Sequence, residues 1–252
     1  MVARAARGRR VPVTAIGIRG VTSPELEPEV DSMLWVKFGQ FDDVIQKLHR
    51  AGVSRLILAG RVKHNSIFQL ARMDARGRRL IARVATRKAD SILGAVTQEF
   101  ASENIEVLDS TIFLRGCMPG PGTLTPGVEI SQKVREDISF GLEHAREIAR
   151  LDIGQTVVVK DRSVVAVEAM EGTDRTIERA GEIAGAGIVA VKAPKPNQDP
   201  RFDVPVLGRT TVEKLVTARA AALAFPAGQI LFLDQTEALE RAALHGIAIV
   251  AI

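Results

Sequence analysis

The sequence predicts an α/β protein with two domains and mostly parallel sheets. Three observations carry that expectation. Short β-branched runs alternate with stretches of helical period along the chain. A segment at 115–127, RGCMPGPGTLTPG, holds four glycines and three prolines and interrupts the alternation near the middle. The chain, at 252 residues, is long enough for one large core or two smaller ones. The break sets the expected boundaries: residues 1–118 as an amino-terminal α/β domain, 119–128 as a linker, and 129–252 as a carboxyl-terminal α/β domain.

In the first half, residues 11–18 (VPVTAIGI) read as a strand, and Phe41, Val44, Ile45 and Leu48 then recur at helical spacing until Gly52. The apolar run 55–59 is the next strand. It stops at Gly60 and Arg61, putting both just past a strand's carboxyl end, where open α/β sheets bind ligands. A helix is expected over 80–100, with Ile81, Val84, Ile92, Leu93 and Val96 as its apolar members, followed by a strand at 105–108.

Beyond the break, Val134, Ile138, Leu142, Ala145 and Ile148 form one helical stripe. Residues 156–160 and 164–168 flank Asp161, Arg162 and Ser163 as a hairpin. The rest alternates: helices at 174–184, 211–224 and 236–245, strands at 187–191, 229–233 and 247–252. Thr210 with Glu213, and Asp234 with Glu237, have capping-box spacing, and Gly246 suits a helix carboxyl end.

Composition narrows the partners. The chain is 46% hydrophobic and 25% charged with a net charge of only +4, so no strong cationic field marks it as a nucleic-acid binder. One Trp, nine Phe and no Tyr offer little for base stacking. The excess of positive charge is local, in Arg4, Arg7, Arg9, Arg10 and Arg19 and again in Arg76, Arg78, Arg79, Arg83, Arg87 and Lys88. Such clusters suit solvated faces, and an anionic membrane surface or nucleic acid is the alternative. A single cysteine, Cys117, excludes an intramolecular disulfide and a multi-thiolate metal site, and fits a reducing, cytoplasmic setting. No apolar run reaches the ~18 residues of a membrane span.

The chemistry is concentrated in residues 192–211, KAPKPNQDPRFDVPVLGRTT. Prolines at 194, 196, 200 and 205 forbid helix and discourage interior strand, so this is a stiffened loop. It carries Lys192, Lys195, Gln198, Asp199, Arg201 and Asp203, a set suited to an anionic phosphate ligand together with a divalent metal. Two further polar loops, 152–155 (DIGQ) and 168–174 (EAMEGTD), also adjoin strand ends and are expected to converge with it. In the latter, Thr173 stands where a helix begins, so the exposed amides there favour a phosphate; a plain helix cap explains the same residue types. Asp203 suits holding a metal or orienting water, and an exposed loop aspartate without a role is the alternative. The four histidines show no metal-ligand spacing, so any metal is expected to be a hard cation such as Mg²⁺.

The succession AREIARLDIGQTVVV, AVEAMEGTD, VKAPKPNQDPRFDVPVLGRTTVEKL and GIAIVAI closely resembles the UDP-2,3-diacylglucosamine pyrophosphatases of the LpxI type, a lipid A pathway family. The first-half segments VTAIGIRG, WVKFGQFDDVIQKLHRAGVSRLILAGRV and RKADSILGAV resemble the same family more weakly. The resemblance implies two α/β domains with a substrate cleft between them, the carboxyl-terminal one being catalytic. It also implies Mg²⁺-assisted hydrolysis of UDP-2,3-diacylglucosamine to UMP and 2,3-diacylglucosamine 1-phosphate. Asp203 matches the family's essential aspartate and is the expected catalytic residue, sharing a metal with Asp174. Gly60, Arg61, Gln155, Thr173, Asp174, Lys192, Lys195 and Gln198 are expected to bind substrate. The partners implied are the UDP-linked diacylated lipid and, peripherally, the inner membrane surface; a homodimer is left open and nucleic acid is not expected. Family members begin with a strand and a glycine-rich loop, LIAGxGxLP, whereas residues 1–8 start inside the segment resembling the next helix, so the native start is expected upstream, an impaired form being the alternative. A sugar-nucleotide-binding or scaffolding protein without catalysis is the alternative.

Overall fold

The computed structural model describes residues 1–60, 73–84 and 88–252. It divides into two compact units, the first Met1–Leu114 with Pro200–Asp203, the second Arg115–Asp199 with Val204–Ile252. The sequence reading kept all of 129–252 together. Residues 200–203 group instead with the first unit, where the Pro200 carbonyl accepts hydrogen bonds from the Ser110 amide (2.9 Å) and hydroxyl (2.8 Å).

The first unit opens with α1 (Val2–Gly8) and a parallel pair, β1 (Thr14–Ile18) and β2 (Ser32–Val36). Helix α2 (Phe41–Arg50) follows, then β3 (Arg55–Leu56), α3 (Ala75–Arg83), α4 (Ala89–Ser102) and β4 (Glu106–Val107), with β3 and β4 also parallel. Its core gathers Ile45, Leu48, Phe100, Ile105 and Val107. The single helix expected over 80–100 is two helices, because Val84 adopts an extended backbone (φ −83°, ψ 118°) that ends α3. The strand expected over 11–18 forms only from Thr14.

The amino-terminal arginines are largely engaged within this unit. Arg4 makes a two-pronged bond to Glu29 at 2.7 Å each, Arg7 donates to the Pro28 carbonyl, and Arg9 donates to the Ile112 carbonyl and lies over the Phe113 ring.

The second unit is built on a six-stranded sheet. Its strands are β5 (Gly122–Thr123), β6 (Thr156–Lys160), β7 (Ser163–Val167), β8 (Val189–Lys192), β10 (Ala222–Phe225) and β12 (Ala248–Ala251), in spatial order β5-β12-β10-β8-β6-β7. The central β8, β10 and β12 run parallel, while β6, β7 and β5 join antiparallel. A short parallel pair, β9 (Val206–Leu207) with β11 (Leu231–Phe232), stands apart. Helix α5 (Gln132–Arg150) covers one face of the large sheet, through Ile138 and Ala145 against Val157, Val159, Val189 and Val191. The other face takes α6 (Thr173–Ala184), α7 (Arg209–Thr217) and α8 (Gln235–Leu244), through Ile177, Val212, Leu215 and Ala238. With both faces covered, the central strands are apolar on both sides, which is why they read as unbroken apolar runs.

Three expectations are corrected here. The helix expected over 211–224 ends at Thr217, and its alanine-rich tail becomes β10; Arg219 turns the chain with φ +50°, and burial between β8 and β12 overrides the helix propensity of alanine. Thr210 lies inside α7, whose cap position is Gly208. Asp234 caps α8 in a left-handed conformation without a side-chain bond. The hairpin forms as read, one residue early on its second strand. Asp161 and Arg162 both take positive φ, and the buried Asp137 carboxylate accepts from their two amides at 3.1 and 2.6 Å.

Candidate functional site

Strand periodicity decides which side chains meet. Val189 and Val191 of β8 face α5, so Ala190 and Lys192 face the side of α6. In the antiparallel partner β6, Thr156 stands directly opposite Lys192 and shares that face. Thr173, the first residue of α6, is delivered to the same place by Gly172, whose φ of +83° would strain any other residue. Glu168 follows the end of β7.

These four side chains form one bonded cluster. The Lys192 ammonium donates to the Thr173 hydroxyl at 2.7 Å and to the Thr156 hydroxyl at 3.4 Å, and lies 3.6 Å from the Glu168 carboxylate. The Thr173 hydroxyl donates to the other Glu168 oxygen at 3.1 Å. The Lys192 and Glu168 side chains are only 6% and 12% exposed, so this ion pair sits in a medium where its partners are strongly held. The DIGQ loop is pinned to the cluster: the Gln155 amide donates to Glu168 at 3.4 Å, and the Gln155 carbonyl accepts from the Ala193 amide at 2.8 Å. A Cβ on Gly154 would stand 2.0 Å from the Glu168 carbonyl oxygen, so only glycine permits that approach.

The neighbouring loops extend the site. The Asp174 carboxylate accepts from the buried Thr211 hydroxyl at 2.8 Å, tying α6 to α7. Lys195 lies 2.9 Å from Asp152, and its amide donates to the Gln198 side-chain oxygen at 3.1 Å. Glu171 accepts from the Ala169 amide and from Arg179. Its carboxyl is held below the ordinary glutamate range, first by its own backbone amide and then by Arg179. A cavity of about 310 Å³ opens beside Lys195, lined also by Arg146, Arg150, Pro194, Pro226 and Gln229.

Of the residues expected from sequence, Gln155, Thr173 and Lys192 meet in one cluster, Asp174 stands in the first turn of α6 beside it, and Lys195 and Gln198 stand on an adjoining loop of the same unit. Gly60 and the half-buried Asp203 belong to the first unit, and Arg61 lies outside the described residues. Sequence reasoning missed Thr156 and Glu168 as partners of Lys192. A threonine opening the otherwise apolar TVVVK strand was the available signal, since a polar group buried there needs a partner.

Chemically, a lysine and the free amides at the start of α6 suit phosphate oxygens. Among the described residues no group of three or more His, Cys, Asp or Glu is set to hold a metal ion. The donors on offer are carboxylate oxygens, which suit a hard cation completed by phosphate and water.

The motifs at this cluster coincide with a family match over nearly the whole chain. The LpxI N-terminal domain model matches residues 1–117 and the LpxI C-terminal domain model residues 121–250. The chain belongs to the LpxI family. A curated LpxI of Caulobacter vibrioides, named UDP-2,3-diacylglucosamine pyrophosphatase, is 32% identical over 249 residues, covering 93% of this chain and 86% of that protein. Among solved structures, Acinetobacter baumannii RibD, form 1, aligns over 46% of this chain and 35% of its own at 16% identity with a TM-score of 0.29, a likeness that carries no argument. The LpxI C-terminal match includes the whole Lys192 cluster and also Asp203, although Asp203 packs with the first unit.

Proposed function

We propose that this LpxI-family chain hydrolyses the pyrophosphate of UDP-2,3-diacylglucosamine, releasing UMP and 2,3-diacylglucosamine 1-phosphate in the lipid A pathway. One observation carries the reading: three loops that are separate in sequence, DIGQ, EGTD and KAPKP, are bonded to one another around Lys192 and Thr173 at the start of α6. Lys192, braced by Glu168 and Thr156, supplies a fixed cation against the pyrophosphate charge. Lys195 supplies a second, and the amides opening α6 bind the equatorial oxygens. Asp203 orients the attacking water and takes its proton, the hydroxyl joins one phosphorus as the bridging P–O bond breaks, and the leaving phosphate departs with the electron pair. Asp203 would hold Mg²⁺, which would supply charge neutralisation and activation of water when bound.

The substrate's acyl chains bring the enzyme to the cytoplasmic face of the inner membrane as a peripheral protein. No helix among the described residues is long and apolar enough to cross a membrane.

The test is UMP release from detergent-dispersed UDP-2,3-diacylglucosamine with Mg²⁺ and with excess EDTA. Release of UMP and the lipid 1-phosphate, lost on chelation, is expected. Binding of the substrate by calorimetry with no UMP formed would replace hydrolysis with a non-catalytic carrier.

A further inference from the structure

Two loops of the second unit carry large apolar side chains into solvent at one place. Leu151 and Ile153, at the turn after α5, are 57% and 49% exposed, and Met170, in the loop before α6, is 94% exposed. The turn and the loop are in direct contact, because Gly154 packs on the Glu168 backbone and the Gln155 amide bonds the Glu168 carboxylate. Asp152, between the two apolar residues of the turn, is bonded to Lys195 at the mouth of the cavity that Arg146 and Arg150 also line.

Charge at this rim is predominantly positive. Arg146, Arg150, Arg175, Arg179 and Lys195 stand against Glu147, Asp152 and Glu171. The three acids are each paired, with Arg150, Lys195 and Arg179 respectively. Arg146 and Arg175, both exposed, have no ionic partner among the described residues, and each lies on the helix adjoining one apolar tip. Isolated exposed apolar residues need no explanation, but three on two mutually bonded loops, with one unpaired arginine on each adjoining helix, match the chemistry of an anionic bilayer surface.

We infer that Leu151, Ile153 and Met170 insert into the headgroup region of an anionic phospholipid membrane, with Arg146 and Arg175 meeting lipid phosphates. The inference rests on the proposed lipid substrate for its setting, and it moves the membrane contact away from the amino-terminal arginines, several of which are bonded internally. The surface lies beside the Lys192 cluster, so docking brings that cluster to the height of the headgroups.

The test is cosedimentation of the full chain with phosphatidylcholine vesicles containing about one-third phosphatidylglycerol, and with pure phosphatidylcholine vesicles. Wild type is expected to partition to the anionic vesicles roughly tenfold more strongly, and the triple variant Leu151→Ser, Ile153→Ser, Met170→Ser to lose roughly tenfold in binding at unchanged thermal unfolding. Arg146→Gln with Arg175→Gln should lose binding chiefly at low salt. A Met170→Trp variant should shift its emission to the blue on anionic vesicles. Vesicle binding equal in wild type and the triple variant, or no wild-type binding to anionic vesicles, overturns the inference. UMP release from detergent-dispersed substrate separates the two readings. Vesicle binding through the tips without UMP release removes the functional reading and keeps the surface; normal release with vesicle binding indifferent to the tips does the reverse.

Discussion

Thr173 is the hinge of the site at the residue scale. Its hydroxyl accepts from Lys192 and donates to Glu168, so replacing it with an isosteric methyl leaves a buried ammonium and carboxylate each short of a partner. Thr173→Val is expected to cost about 1–3 kcal/mol in urea denaturation while the overall fold persists. Gly154→Ala places a methyl against the Glu168 carbonyl, and overpacking of that kind costs about 1–3 kcal/mol and should also lower turnover, since it parts the DIGQ loop from the cluster. These residues were legible in sequence only in part. Gln155, Thr173 and Lys192 declared themselves by standing in polar loops at strand ends. Thr156 did not, because its partner lies across a strand pair whose register no local pattern reveals.

At the scale of elements, the sequence was most readable where periodicity and burial agree, as in α5, α6 and the β6–β7 hairpin. It failed at β10, where Ala222, Leu223 and Ala224 look helical and are buried in a sheet covered on both faces. It failed at α3 and α4 for a different reason: apolar residues continue in helical phase across an interruption that the backbone makes at Val84. Leu223, fully buried in the central strand, is expected to cost about 2–5 kcal/mol on truncation to alanine, read as a lowered denaturation midpoint.

The packing of α3 has a pH signature. Arg76 bonds Glu103 at 2.5 Å and is ion-paired with Asp42 at 2.8 Å, joining α3 to the end of α4 and to α2. The Glu103 carboxyl lies below the ordinary glutamate range, chiefly through Arg76 and next through His49. Its stabilisation is therefore complete at neutral pH and is lost as pH falls from the ordinary glutamate range through the lowered value. Arg76→Gln should destabilise the protein at neutral pH, with the gap to wild type closing in acid. A gap that stays constant across a pH series of thermal melts would contradict this.

For the whole molecule, the two units differ in how their cores are made. The second has a six-stranded sheet with helices on both faces, whereas the described residues of the first form two separate two-stranded pairs and a smaller cluster. The break near residue 115 was visible in sequence as glycine and proline. The return of Pro200–Asp203 to the first unit was not, because it depends on a long-range contact with Ser110. The most direct measurement is UMP release from UDP-2,3-diacylglucosamine by wild type and Asp203→Ala side by side, with thermal unfolding of both. The account predicts a loss of about 10²–10⁴-fold at unchanged unfolding temperature; turnover within a few-fold of wild type in the variant, or no UMP from the wild type, would contradict it.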